Sequence, residues 1–323
     1  MKTTTPVFPS LWDTLKTGLD LTTKHVWLIL LPVLLDGFFW LGPRLSIRPV
    51  VESFMTLMVE QAAAPEQSAS MIEQYKEFQE LYAGAVNLFS SLNLPLIGVP
   101  TLMSGAIPAQ TPIPTTTIEL DNVGLILLLV GLFSVAGLLL SIVYYSLVAQ
   151  AVHEEGVHIS WLWRKLPHQT MSLALMLMVI GLVGGIFFVP FFCLSLFASY
   201  FNITFAFLLA FVGMMPGMTL VLYSFFSPHG VLFYDRPPLS AIRESIALVR
   251  AHQSTTVSLF VLLYLLSYGM TWLWRLADDG SWLTLVSIVG HGFVSTALAA
   301  ATFIFYRDRY PTLAGLSPVS QEP

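Results

Sequence analysis

Few residues in this chain are of a type and spacing able to do chemistry. His153-Glu154-Glu155-Gly156-Val157-His158 gathers two imidazoles and two carboxylates. A helical zinc pair needs its histidines at i and i+4, on one face. Here they stand at i and i+5 with Gly156 between them, so the segment reads as a solvated turn at a membrane surface. No phosphate-cradling G-x-x-x-x-G-K-[ST] loop and no G-x-S-x-G nucleophile elbow occurs. Neither a catalytic set, a metal nor a cofactor is expected. Asn202-Ile203-Thr204 is a formal glycosylation sequon, but it falls in a short hairpin between two apolar runs and is discounted. The single cysteine, Cys193, forms no intrachain disulfide and reads as a small buried hydrophobe.

Two ionisable side chains stand inside long apolar runs. At 1.5 Å per helical residue, Asp36 lies about 9 Å and His291 about 13 Å from the outer ends of their runs. Similar depths make them a candidate intramembrane polar pair if the first and last apolar helices touch. Ionisable groups at such depth are functional candidates. The alternative is packing: a protonated or backbone-bonded Asp36, and a neutral His291 beside Gly290 and Gly292. No other span is expected to carry an ionisable group, and a proton relay needs more than two.

The elements that position these residues follow from composition. The 323-residue chain is 55% hydrophobic and 10% charged, against about 25% charged in a soluble domain. A span needs about 20 mostly apolar residues and must be helical, because hydrocarbon offers no partner for unpaired backbone. Six segments qualify: 25–42, 123–150, 170–199, 203–228, 255–274 and 281–306. Their length and continuity exclude a membrane β-barrel. The fold expected is therefore all-α, a polytopic membrane bundle of six transmembrane helices with cytoplasmic interfacial helices and one long outer helical loop. Gly181 and Gly185, Gly213 and Gly217, and Gly290 and Gly292 are candidate helix-packing positions. Pro32, Pro190 and Pro216 are read as tolerated within their helices.

Segment 1–24 is polar and reads as a cytoplasmic interfacial helix ahead of a retained first span, not as a cleaved signal. With the N-terminus inside, ten of the fourteen Lys and Arg residues are cytoplasmic, which places both termini on the cytoplasmic side of an inner membrane. Trp27, Trp40, Trp161, Trp163, Trp272, Trp274 and Trp282 fall near span ends, as interfacial belts do. Residues 43–122 form the outer cap, with amphipathic helices over 50–61 and 70–91, an apolar stretch over 94–107 and a stiff linker over 108–117. Segment 123–306 holds the remaining five spans, with interfacial helices near 159–166 and 237–251. Residues 307–323 form a cytoplasmic tail. In the 237–251 helix, Leu239, Ile242, Ile246 and Val249 make one apolar stripe. Arg164, Lys165, Arg236, Arg243 and Arg250 are candidate lipid-headgroup contacts.

Three joints share text: Lys24-His25-Val26, Pro167-His168-Gln169-Thr170 and Ala251-His252-Gln253-Ser254-Thr255. They read as three repeats of an interfacial helix followed by two spans. Residues 227–274 combine an apolar span, a polar turn, A-x-x-x-S-x-x-L-V-R and a further span, carried by Asp235, Ala241, Ser245, Leu248, Val249 and Arg250. This pattern resembles the membrane domain found beside bacterial glycerophosphoryl diester phosphodiesterases and its stand-alone multi-pass relatives. In that family catalysis belongs to a separate barrel domain. No barrel segment is read in these residues, so the resemblance carries over no phosphodiesterase activity.

Three functions are weighed. The first is a non-catalytic membrane protein, an accessory or scaffold subunit or an organiser of membrane lipid. The second is a permease for an amphiphilic or lipid-like solute, and the third an intramembrane enzyme. The expected partners are membrane lipids and another membrane protein docking on the cap, 43–122. No basic patch points to nucleic acid.

Overall fold

The computed structural model describes residues 8–60, 87–94, 97–105, 110–153, 159–199 and 201–313. Helix α1 (Leu11–Lys24) is followed by a 3-10 turn (Val26–Ile29) and α2 (Leu30–Leu41). Strand β1 (Arg44–Ser46), α3 (Arg48–Glu60), a 3-10 turn (Leu88–Leu92) and β2 (Thr117–Glu119) make up the described part of the cap. Helices α4 (Val123–His153), α5 (Ile159–Ser199), α6 (Ile203–Ser224), α7 (Ser227–Tyr234), α8 (Pro238–Ala251), α9 (Gln253–Trp274) and α10 (Leu283–Leu313) complete the chain. The molecule is an all-α polytopic bundle, and among the described residues five stretches are long and apolar enough to cross a membrane, or six if the bent pair α1–α2 counts as one.

Two compact units divide the chain. The first takes residues 8–21, 145–264 and 299–313 of those described. Its core is Phe226, Leu248, Val249, Leu259, Phe305, Tyr306 and Tyr310. Helix α8 turns its small residues inward: Ala241 and Ser245 are buried with Leu248 and Val249. That closeness constrains Gly230 on α7, where an added β-carbon would lie 3.3 Å from Ala241 Cβ and 3.1 Å from the Tyr306 hydroxyl. Ser245 also pins the break between α6 and α7. Its hydroxyl donates to Tyr223 O at 2.7 Å and accepts from Phe226 N at 3.1 Å. Asp235 closes α7 in the left-handed region, φ 55°, a conformation Asp tolerates better than most residues.

The second unit takes residues 22–144 and 265–298. In it β1 and β2 pair in parallel, Arg44 opposite Thr117 and Ser46 opposite Glu119. Leu45, Leu88 and Ile126 pack beneath this ribbon. Asn87 Oδ1 accepts from Leu45 N and ties the 3-10 turn to β1. Trp40 is wholly buried, its ring 5.9 Å from Trp282 and its Nε1 donating to Asp279 O at 2.9 Å.

Several expectations change. The first span opens on a 3-10 turn, and the 92° bend from α1 falls at its start, between Lys24 and Val26. The segment 159–166 is no separate interfacial helix but the start of α5, which runs 41 residues through Pro167 and Pro190. The tail at 307–313 is helical, the end of α10. The 50–61 helix appears as α3, and the strand pair was not anticipated. Most of the 70–91 helix lies outside the described residues, and its last part, Leu88–Leu92, is a 3-10 turn. Trp40 is buried rather than interfacial. Cys193 is exposed, not buried, on a stretch of α5 whose Phe192 and Leu194 are also exposed. On α8 the predicted stripe is divided: Leu239 is 55% exposed, Ile242 and Ile246 are half-buried, and Val249 is buried.

The three joints that share text differ in structure. His25 (φ −122°, ψ 52°) and His252 (φ −125°, ψ 38°) adopt nearly one conformation between a first helix and the next. At the third, His168 lies inside the unbroken α5.

The packing glycines split into two groups. A β-carbon on Gly213 would fall 2.4 Å from Phe191 Cβ, on Gly290 2.4 Å from the Trp274 ring, and on Gly292 3.1 Å from Val33. Gly181, Gly185 and Gly217 face open space, so their spacing alone does not mark a contact within the chain. Gly290→Ala should therefore lower the thermal midpoint of the detergent-solubilised protein, by the equivalent of about 1–3 kcal/mol for an overpacked site. Gly181→Ala should leave it unchanged, as differential scanning fluorimetry of the two variants will read.

Candidate functional site

Asp36 lies one turn before the end of α2 and is wholly buried. Its two carboxylate oxygens are both occupied. Leu102 N donates to Oδ2 at 2.9 Å and Met103 N to Oδ1 at 2.7 Å. His291, on α10, places Nδ1 3.8 Å from Asp36 Oδ2, beyond hydrogen-bond length. Its other nitrogen, Nε2, lies 3.2 Å from the Ser295 hydroxyl one turn on. Arg275, just past α9, donates to Leu102 O at 3.4 Å. The structure thus brings the two sequence candidates together and adds a third group, the backbone of 102–103. That backbone comes from the apolar stretch 94–107, for which the sequence left two roles, dipping into the outer leaflet or covering the bundle. Nearby, burial raises the Asp279 carboxyl above its usual range, with Arg275 pulling the other way.

The basic candidates are not equivalent. Arg164, Arg243 and Arg250 are exposed. The Arg250 guanidinium lies 6.0 Å from the Tyr223 ring. Lys165 is instead held by Asp235 Oδ2, with His168 Nδ1 3.4 Å from Asp235 Oδ1. Arg236 pairs with Glu244 at 3.0 Å, and its Nε donates to the Tyr310 hydroxyl at 2.8 Å. That hydroxyl bond leads the effects that raise the Arg236 guanidinium above its ordinary range. Burial, then the charge of Arg309, hold the His252 imidazole below its usual range.

Sequence reasoning missed two groups. His229, on α7, is buried, with Nε2 2.8 Å from the Thr302 hydroxyl and its ring 4.2 Å from that of Phe303. It corrects the expectation that only the first and last spans carry an ionisable residue. Its signal was its place in Ser227-Pro228-His229-Gly230, one residue past the assigned span end. Arg309, assigned to the tail, is 2% exposed and stacks its guanidinium 3.7 Å from the Phe305 ring.

Other features find structural roles. Asn202 caps α6, its Oδ1 accepting from Phe205 N at 3.0 Å. His153 stacks on Phe233 at 3.8 Å, while 154–158 lie outside the described residues. Among the described residues no three His, Cys, Asp or Glu side chains gather around a metal-sized site. No family model, curated protein or solved structure matches the chain. The phosphodiesterase-associated resemblance therefore rests on the residues quoted for it.

Asp235 offers a separable test. Asp235→Ala removes the Lys165 and His168 partners and places a methyl-bearing residue at positive φ, at a cost of about 1–2 kcal/mol for the backbone. The half-exposed ion pair adds about 0–1 kcal/mol. Asp235→Gly restores the backbone and removes only the charge. Thermal midpoints should fall in the order native, Gly, Ala.

Proposed function

We propose that this chain is a non-catalytic integral membrane protein, an accessory or scaffold subunit or an organiser of membrane lipid, in the cell inner membrane with both termini cytoplasmic. The observation that carries the reading is the use made of Asp36. Both of its oxygens are bound by backbone amides of the chain itself, which is a structural task rather than a reactive one. His229 is likewise bonded to Thr302 within its own unit.

Lipids are the first partner. Arg164 near the start of α5, and Arg243 and Arg250 on α8, are exposed and meet lipid phosphates, while Lys165 and Arg236 serve internal ion pairs. Helix α8 lies in the headgroup layer, its small residues toward the protein and Leu239 toward acyl chains. The cap, 43–122, is the docking surface for a second membrane protein. The resemblance to the phosphodiesterase-associated membrane domain fits this reading.

One observation favours the second reading, a permease for an amphiphilic solute. Non-helical backbone at 102–103 reaches the level of Asp36, inside the end of α2. Such backbone is tolerated at membrane depth only where protein buries it or a water-filled cavity meets it, and it accompanies binding sites in transporters.

Extraction of the chain in lipid discs, followed by lipid and protein mass spectrometry, separates the readings. A fixed protein partner or a shell enriched in anionic lipid supports the first; one stoichiometric enclosed lipid supports the second. Replacing Arg164, Arg243 and Arg250 together by Gln should reduce retained anionic lipid at least tenfold, at about 1 kcal/mol per basic residue. Unchanged lipid retention would remove these residues from the headgroup site.

A further inference from the structure

Residues 97–105 have neither a helix nor a strand, yet Ile97, Val99, Leu102 and Met103 are buried. The backbone enters through a tight turn. Gly98 N donates to Leu94 O at 2.8 Å, and an added β-carbon at Gly98 would lie 1.7 Å from Asn93 Oδ1. The segment's polar groups reach other elements. Leu102 and Met103 N–H bind Asp36 on α2, and Leu102 O accepts from Arg275. Asn93 Nδ2 donates to Thr101 Oγ1 at 2.7 Å and Ser104 Oγ at 3.0 Å, and Ser90 Oγ donates to Ser104 O at 2.5 Å.

Two features set this segment apart from the helices around it. Apart from the Gly98–Leu94 turn, the bonds described run to or from side chains rather than along a backbone ladder, which leaves less to resist local opening. Bonds from backbone N–H groups to a carboxylate are also stronger than neutral ones, which concentrates the hold on one residue. We propose that residues 97–105 are a strap that Asp36 latches shut over the Asp36–His291 pair, and that the strap opens as a unit while α2 and α10 stay folded.

The open strap leaves the carboxylate without its two donors, with the His291 imidazole 3.8 Å from it. Both are polar groups that a buried site must satisfy, so opening admits water or a donor-bearing solute to this end of the second unit. Closing excludes it again. The device serves a permease directly. In a scaffold it makes the same end of the unit responsive to a ligand, so it stands under either reading.

Hydrogen–deuterium exchange of the full chain in lipid nanodiscs tests the latch, comparing Asp36→Asn with the native protein. The variant puts an amide N–H against one of the two backbone donors. Peptides covering 97–105 should exchange about tenfold faster or more, the loss of one charge-assisted bond, while peptides of α10 keep their native rate. No acceleration at 97–105 would overturn the latch, and equal acceleration in α10 would overturn independent opening. Should Asp36→Asn not accumulate, the native chain still decides: amides of Leu102 and Met103 should exchange faster than those of α10, and at one common rate. Exchange at the rate of α10 would overturn the proposal.

Discussion

From Gln169 through Tyr234 the chain carries no Asp, Glu, Lys or Arg, and the helices built from it turn large apolar side chains outward. Phe207 is 69% exposed and Leu182 66%. In water each such side chain forfeits about 1.5–3 kcal/mol relative to burial, and dozens are exposed in this way. Only an apolar solvent makes that surface stable. Every other feature follows from this requirement: helices whose backbone is satisfied internally, aromatic outer faces, and polar side chains drawn to the inside.

The interior shows the complement. Ser245, Thr296 and Asp36 are wholly buried. Their hydroxyls and carboxylate hold elements in place where hydrophobic contrast between helix and lipid is absent. Thr296 accepts from the Tyr144 hydroxyl at 3.0 Å and joins α10 to α4 within the second unit. Ser245 fastens α8 to the break between α6 and α7. Asp36 fastens a non-helical segment to α2. In each unit a few polar contacts do the positioning that a water-driven core does elsewhere.

The sequence made the apolar helices legible, because a long run without charge has one stable solution in hydrocarbon. It did not reveal the 3-10 opening of the first span, since the hydropathy of 25–42 is uniform across it. Nor did it reveal the partner of Asp36. Leu102 and Met103 lie 66 and 67 residues away, and the donors are backbone amides, which carry no residue signature. Similar depth made Asp36 and His291 a candidate pair only on the condition that the first and last apolar helices touch. Glycine spacing was a weaker guide: Gly290 and Gly292 meet Trp274 and Val33, whereas Gly181 and Gly185 meet nothing. Spacing identifies a face but not what lies opposite. The motif Ala241, Ser245, Leu248, Val249 proved to be the buried face of α8, and of the more apolar stripe only Leu239 is exposed.

The requirement for an apolar solvent is most directly tested at Cys193, the single cysteine, which is exposed on the outer surface of α5. A nitroxide attached there, in the chain reconstituted into vesicles, reports collisions with oxygen and with a water-soluble nickel chelate. The account predicts frequent oxygen collisions and almost none with the chelate. A label that meets the chelate as freely as one in water would contradict it.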